Sequence, residues 1–150
     1  MGRAKEPANR VKCASNLRTI GQGVLLYAND NQGRFPPTLD ELMLTQDLTF
    51  EVLICPSTDE DKAQGPTTQA ALQQMHAQPG HCSYIYIGGG LTQATATPQH
   101  VIAYEPLTNH SGAGMNVLFG DGHAEFLPAA KANYVLAELK AGHNPPRPQP

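Results

Sequence analysis

Three side chains near the C-terminal end of the sequence have the types for metal or proton chemistry: His110, Asp121 and His123. A carboxylate with one or two imidazoles, helped by loop carbonyls, is a set that holds a divalent cation. The same residues also have a plainer use. Asp121-Gly122 is turn chemistry, in which the Asp oxygen accepts backbone N–H groups. His110 would then hydrogen-bond to Asp121 or to a backbone carbonyl and pin its loop. That structural role is the expectation, and a metal at His110, Asp121 and His123 is the alternative. Strand alternation lets Asp121 and His123 share a face, although the flanking Gly120 and Gly122 leave the local geometry open.

The cysteines Cys13, Cys55 and Cys82 are the other reactive set. Cys55 and Cys82 each stand beside a turn or strand segment, Ile54-Cys55-Pro56-Ser57 and His81-Cys82-Ser83-Tyr84. One disulfide, Cys55–Cys82, with Cys13 left over on the first helix, is the simplest arithmetic for an exported protein. A zinc site from the cysteines plus His81 lacks the paired C-x-x-C form. Three buried reduced thiols is the reading for a cytosolic chain. No nucleophile stands out, because Ser57, Ser83 and Ser111 have no base-and-orienter arrangement near them. Asp59-Glu60-Asp61 reads as a solvated loop. Gly88-Gly89-Gly90 is not followed by the helix start with Lys and Ser/Thr that a phosphate cradle needs. No catalytic function is expected.

These residues hang on a small set of elements. Met115 to Phe119 is a short apolar strand, Gly120-Asp121-Gly122 a turn, and His123 to Leu127 the returning strand. Upstream, Asn109 to Gly114 is a polar loop expected to fold back over that turn. Residues 8–32 form the strongest helix, with Val11, Ala14, Leu17, Ile20, Gly21, Val24, Leu25 and Ala28 in one apolar stripe. Such a helix is about 36 Å long, so its N-terminal half is expected to project beyond the body. Gly33 suits a left-handed cap and Pro36-Pro37 stops continuation. Thr38 caps a short helix from Leu39 to Leu44, with Glu41 in capping-box position.

Further along, Phe50 to Cys55 reads as an extended run, 57–66 as a surface loop, and Thr67 to Met75 as a weak helix. Ser83 to Ile87 and Val101 to Tyr104 read as strands, and Ala129 to Lys140 as a final helix with Tyr134, Leu136 and Leu139 available for packing. The architecture is α+β: a long N-terminal α-helix packed on a small antiparallel β-sheet with short extra helices. It divides into a helical stalk at 1–34, a globular head at 35–140, and a proline-rich tail at 141–150 expected to be disordered.

The chain has 150 residues, enough for one domain with a modest core, and its net charge of −3 gives no reason to expect a nucleic-acid partner. Charge is unevenly placed. Arg3, Lys5, Arg10, Lys12, Arg18 and Arg34 face only Glu6 and Asp30 in the first 34 residues, while the remainder is acidic. A basic arm on an acidic body suits anionic headgroups or an acidic neighbour, although a solvated helix face is the plainer reading. No stretch approaches the roughly 20 apolar residues that span a bilayer, and no signal peptide is visible. Met1-Gly2 followed at once by Arg-Ala-Lys-Glu reads as an artificial start.

Two segments together resemble a known family. Arg10-Val11-Lys12-Cys13-Ala14-Ser15-Asn16-Leu17-Arg18-Thr19-Ile20-Gly21, running on to Phe35-Pro36, resembles the membrane-proximal helix of type IV pilin-like proteins. His110 to Gly122 resembles the His-x9-Asp-Gly signature of a planctomycete-type group related to the major pseudopilin of type II secretion. Ile54-Cys55-Pro56-Ser57, Ser83-Tyr84-Ile85-Tyr86 and Ala103-Tyr104-Glu105 fall in the expected order. The similarity covers residues 4–127. Ten residues, not nine, separate His110 from Asp121, so the loop is one residue longer here.

The resemblance implies a pilin-like fold, and a leader and hydrophobic half-helix preceding Arg3. It implies a non-catalytic structural subunit of a pseudopilus or pilus-like filament, anchored in the inner membrane and lying in the periplasm or at the cell surface. Its partners would be other pilin-like subunits, with Val11, Leu17, Ile20 and Val24 packing between helices in the filament. Some major pseudopilins bind calcium near the C-terminal strands, which the resemblance carries to Asp121 without naming its partners. Two other readings stand beside this one. One is a membrane-anchored module whose hairpin and tri-glycine loop bind a glycan or another extracellular ligand. The other is a metal-dependent hydrolase at His110, Asp121 and His123.

Overall fold

A computed structural model of the chain describes residues 6–150. Helix α1 (Glu6–Asp30) is followed by α2 (Leu39–Thr45), a 3-10 turn (Phe50–Leu53) and α3 (Thr68–Ala77). Strands β1 (Ile85–Tyr86) and β2 (Val101–Tyr104), a second 3-10 turn (Leu107–His110), strands β3 (Gly114–Phe119) and β4 (Ala124–Pro128), and helix α4 (Ala129–Lys140) complete the fold. The four strands form one antiparallel sheet in sequence order. It is an α+β protein in three layers, with α1 on one face of the sheet and α4 on the other.

The layering explains β3. Successive side chains of a strand point to opposite faces. Leu118 joins the core under α1 with Leu17, Ile20, Val24 and Ile102, whereas Met115 and Val117 join Leu127, Ala132 and Val135 under α4. Both faces are covered, so the sequence reads as nearly continuous apolar residues rather than as an alternation.

Helix α1 lies along β3 from one end to the other. Near its start, the Asn116 side chain donates to the Arg10 carbonyl at 3.1 Å. About three turns further on it meets the β3–β4 turn. A Cβ added at Gly21 would stand 2.9 Å from Leu118 Cδ1 and 3.3 Å from the Gly122 Cα. Glycine costs a helix interior about 1 kcal/mol relative to alanine, and here it permits the close approach. At its far end the Gly33 N–H, in the left-handed region, bonds the Ala28 carbonyl at 2.8 Å. The Thr38 hydroxyl accepts the Glu41 N–H at 3.2 Å, the cap that its sequence position suggests.

Several expectations change. The N-terminal half of α1, from Glu6 on, does not project but is bonded to the body. The Asn16 amide donates to the Ile54 carbonyl at 2.9 Å and to the Tyr84 hydroxyl at 3.1 Å. Residues Phe50–Leu53 are helical rather than extended, because Val52 and Leu53 turn under α1 instead of joining a sheet. The tail is docked, not loose. Asn144 bonds both the N–H and the carbonyl of Val101, at 2.9 and 2.8 Å. Arg147 donates to Glu138 through Nε and Nη2 at 2.9 and 3.0 Å, and these bonds hold the Glu138 carboxyl down at about 2. Specific polar partners anchor a segment whose composition alone argues against order. No helix among the described residues is long and apolar enough to cross a membrane.

Candidate functional site

His110 ends the second 3-10 turn, and its side chain has no exposed surface. The residue that follows, Ser111, takes a left-handed conformation (φ 54°), and Gly112 (φ 82°) completes the reversal into β3. This sharp turn points the imidazole under the start of α1. Its Nδ1–H donates to Glu6 Oε1 at 2.5 Å, and its Nε2–H donates to Glu105 Oε2 at 2.9 Å. The Phe126 ring on β4 meets the imidazole edge to face, with centroids 5.9 Å apart.

Both carboxylates are themselves held. Glu105, fully buried, also accepts the Asn116 N–H at 2.7 Å. Glu6 also accepts from the Ser57 hydroxyl at 2.8 Å and from Arg10 Nε at 3.3 Å, while the Arg10 guanidinium lies 4.6 Å over the Phe126 ring. Burial disfavours the imidazolium. The hydrogen bonds and charges of Glu105, then Glu6, outweigh it and raise the His110 pKa. Burial likewise disfavours the Glu6 carboxylate, but the Ser57, His110 and Arg10 bonds outweigh it and lower its pKa. An imidazolium with two carboxylates and a guanidinium is balanced in charge, and this makes burial tolerable.

Against this group lies the Cys13–Cys55 disulfide, which closes 42 residues of sequence separation. The expected Cys55–Cys82 pairing is therefore corrected. The Ser83 hydroxyl accepts the Cys55 N–H at 2.9 Å, so Ser83 faces Cys55. Alternation turns Cys82 to the opposite side, where its thiol donates to the Tyr84 carbonyl at 3.3 Å and burial raises its pKa. Cys13 lies one turn before Leu17 on the buried stripe of α1, and that stripe was the sequence signal for it. Cys13, Cys55, Glu105 and His110 each bring a donor atom within 4.8 Å of the others.

Asp121 and His123 are elsewhere. In the β3–β4 turn Asp121 Oδ1 accepts both the His123 N–H, at 3.1 Å, and the imidazole Nδ1–H. His123 Nε2 donates to Glu125 at 3.1 Å and the ring stacks on Phe119 at 4.7 Å. This cluster is 39–50% exposed. Burial acts to raise the Asp121 pKa, the bonds and charge of His123 outweigh it, and the net shift is down. For His123 burial is outweighed by the bonds to Asp121 and Glu125, and the net shift is up.

His110 does not join that pair. A strand of six residues at about 3.3 Å each puts roughly 20 Å between the two ends of β3, with His110 at one and Asp121 at the other. The polar loop folds away from the turn and under α1, because Asn109 and His110 find their partners in Ser83, Glu105 and Glu6. The metal set of His110, Asp121 and His123 is not assembled. Two exposed carboxylates engaged by one imidazole also fall short of the six to eight oxygens calcium takes. Glu6 and Glu105 complete the buried cluster; Glu6 carries no motif, and Glu105 ends the Ala103-Tyr104-Glu105 segment without being singled out as a site residue.

Of the residues expected to pack between subunits, Leu17, Ile20 and Val24 belong to this chain's own core, and Val11 is 65% exposed. No family model, curated protein or solved structure matches the chain.

Proposed function

We propose that the chain is the non-catalytic head and upper stalk of a pilin-like filament subunit, working outside the cytoplasm on an inner-membrane anchor. The observation that carries this reading is the outward face of α1. One face of the helix is spent on the head, while the other stays open along its length through Val11, Ser15, Arg18, Gln22 and Leu26. Val11 and Leu26, at 65% and 56%, are the most exposed large apolar residues among the described residues. The fitting occupant is the same face of a second copy.

The clamp at the start of the helix supports the same reading. A stalk that passes load from an anchor to a head needs its junction fixed, and the disulfide, the Glu6–His110–Glu105 group and Asn16 all hold that junction. In this reading Leu17, Ile20 and Val24 position the stalk rather than meet a neighbour.

Thiol-specific cross-linking of Val11→Cys and Leu26→Cys variants, made in the membrane-anchored protein in cells, tests the proposal. A ladder of dimers, trimers and higher species is expected when both cysteines are present together. A purely monomeric pattern would reject the filament reading.

A second reading, an anchored ligand-binding module, draws support from a groove of about 490 Å³ beside the β3–β4 turn. Phe119, His123 and Leu127 from the sheet, Tyr134 from α4, and Pro146 and Arg147 from the tail line it. Aromatic rings with polar neighbours suit a sugar ring. Glycan-array binding lost in Tyr134→Ala would favour this reading over the filament.

A further inference from the structure

We propose that Cys13, Cys55, His110 and Glu105 form a tetrahedral zinc site in the reduced chain, for which the disulfide is the oxidised alternative. Two thiolates, an imidazole and a carboxylate are a donor set that zinc takes and that calcium and magnesium do not. Ligand atoms around such an ion, at about 2.0–2.3 Å from it, stand under about 4 Å apart. His110 Nε2 is 3.8 Å from Cys55 Sγ and 2.9 Å from Glu105 Oε2, and all four donors fall within 4.8 Å of one another.

The surroundings are those of a ligand set. A metal-bound histidine donates its other ring N–H to a carboxylate, which fixes the tautomer and aims the free nitrogen. His110 does this through Nδ1 to Glu6, leaving Nε2 toward the sulfurs and Glu105. Glu105 is in turn held by the Asn116 N–H. All four residues are buried, so bulk water has little access to compete with them for an ion.

The exchange balances. A dithiol reductant gives two electrons and two protons to the cystine, the S–S bond breaks, and the reductant leaves as its own disulfide. Zinc then displaces the two thiol protons and the proton on His110 Nε2, releasing three protons to solvent. In reverse, a disulfide oxidant takes two electrons from the thiolates and two protons from solvent to leave as a dithiol, the S–S bond re-forms, the ion departs, and His110 Nε2 takes up a proton. The junction of stalk and head is stapled in either state. This inference does not depend on the filament reading, because a subunit and a binding module would carry the site alike.

Anaerobic cobalt titration of the chain, reduced with a phosphine, tests it. One cobalt per chain is expected, with the visible bands of a tetrahedral ion and a near-ultraviolet thiolate charge-transfer band. The oxidised chain should show neither, and Cys82→Ser should keep both. Glu6→Gln should retain the thiolate band with affinity down about 10–100-fold, while His110→Ala should lose the tetrahedral spectrum. Zinc should also slow reoxidation of the two thiols. Absence of a thiolate band would overturn the proposal, including cobalt taken up only at the exposed Asp121–His123–Glu125 group. A tetrahedral spectrum that persists unchanged in His110→Ala would overturn it too. Circular dichroism of each reduced variant separates loss of ligand from loss of fold.

Discussion

The two ends of β3 each carry a histidine between two carboxylates, and burial makes them different objects. At the Gly114 end, His110 bridges Glu6 and Glu105 with no exposed side-chain surface. At the Phe119 end, His123 bridges Asp121 and Glu125 while 39% exposed. Water solvates the second group whether or not the pairs form, so breaking them costs little. The first group has no such refuge, and removal of one partner leaves a charge stranded in the interior. The same triad of residue types therefore fastens two layers of the fold at one end and decorates a turn at the other.

The sharpest way to break this contrast is to truncate each histidine. His110→Ala should destabilise by about 3–5 kcal/mol, the cost of stranding one member of a buried ion pair. His123→Ala should stay below about 1 kcal/mol. Urea unfolding of the two variants measures the difference, and comparable midpoints would erase the distinction.

Cutting the covalent staple comes next. Cys13→Ser or Cys55→Ser should cost about 2–4 kcal/mol for a loop of this length. Thiol titration of the denatured wild-type chain should find a single reactive group, Cys82. Three groups would return Cys13 and Cys55 to the reduced state and weaken the buried end's claim to be the stronger junction.

A subtler substitution probes how closely α1 approaches the other end. Gly21→Ala improves helix propensity, yet its new Cβ would crowd Leu118 and the Gly122 backbone. A net loss of about 1–3 kcal/mol is expected, as for overpacking elsewhere. Thermal melting that shows a gain would mean that α1 stands off the turn.

The smallest effect is the pH response of the exposed triad. His123 has a raised pKa, so its contribution is complete below the ordinary imidazole range and lost as pH climbs through the raised value. Asp121 has a lowered pKa, so its share is complete above the ordinary carboxylate range and lost as pH falls through the depressed value. The pair therefore stabilises most between those two limits. Proton NMR of the His123 ring should place its titration above 6.5 in the wild type and nearer to it in Asp121→Asn. An unmoved midpoint would show that Asp121 does not hold the ring.

Much of the scaffold was readable because its signals are local. The stripe Leu17–Ile20–Val24, the Thr38–Glu41 cap, the turn at Gly120–Gly122 and the helix from Ala129 to Lys140 each follow from spacings within a few residues. The nearness of Asp121 and His123, two positions apart in the turn between β3 and β4, is equally local. The buried cluster was not readable in this way. Its members lie at 6, 13, 55, 105 and 110, and no periodicity links them. The tail failed differently: its proline content argued for disorder, but Asn144 and Arg147 find buried partners that composition cannot register.

The sequence by itself determined most of the helices, strands and turns, Phe50–Leu53 excepted, because propensity, capping and apolar spacing act over one or two turns of chain. Only the tertiary structure decided which sulfurs meet and which carboxylates His110 bridges. It also decided which face of α1 remains open. Those outcomes depend on how the long helix lies across β3, and a register of that kind is set by packing between elements far apart in the chain.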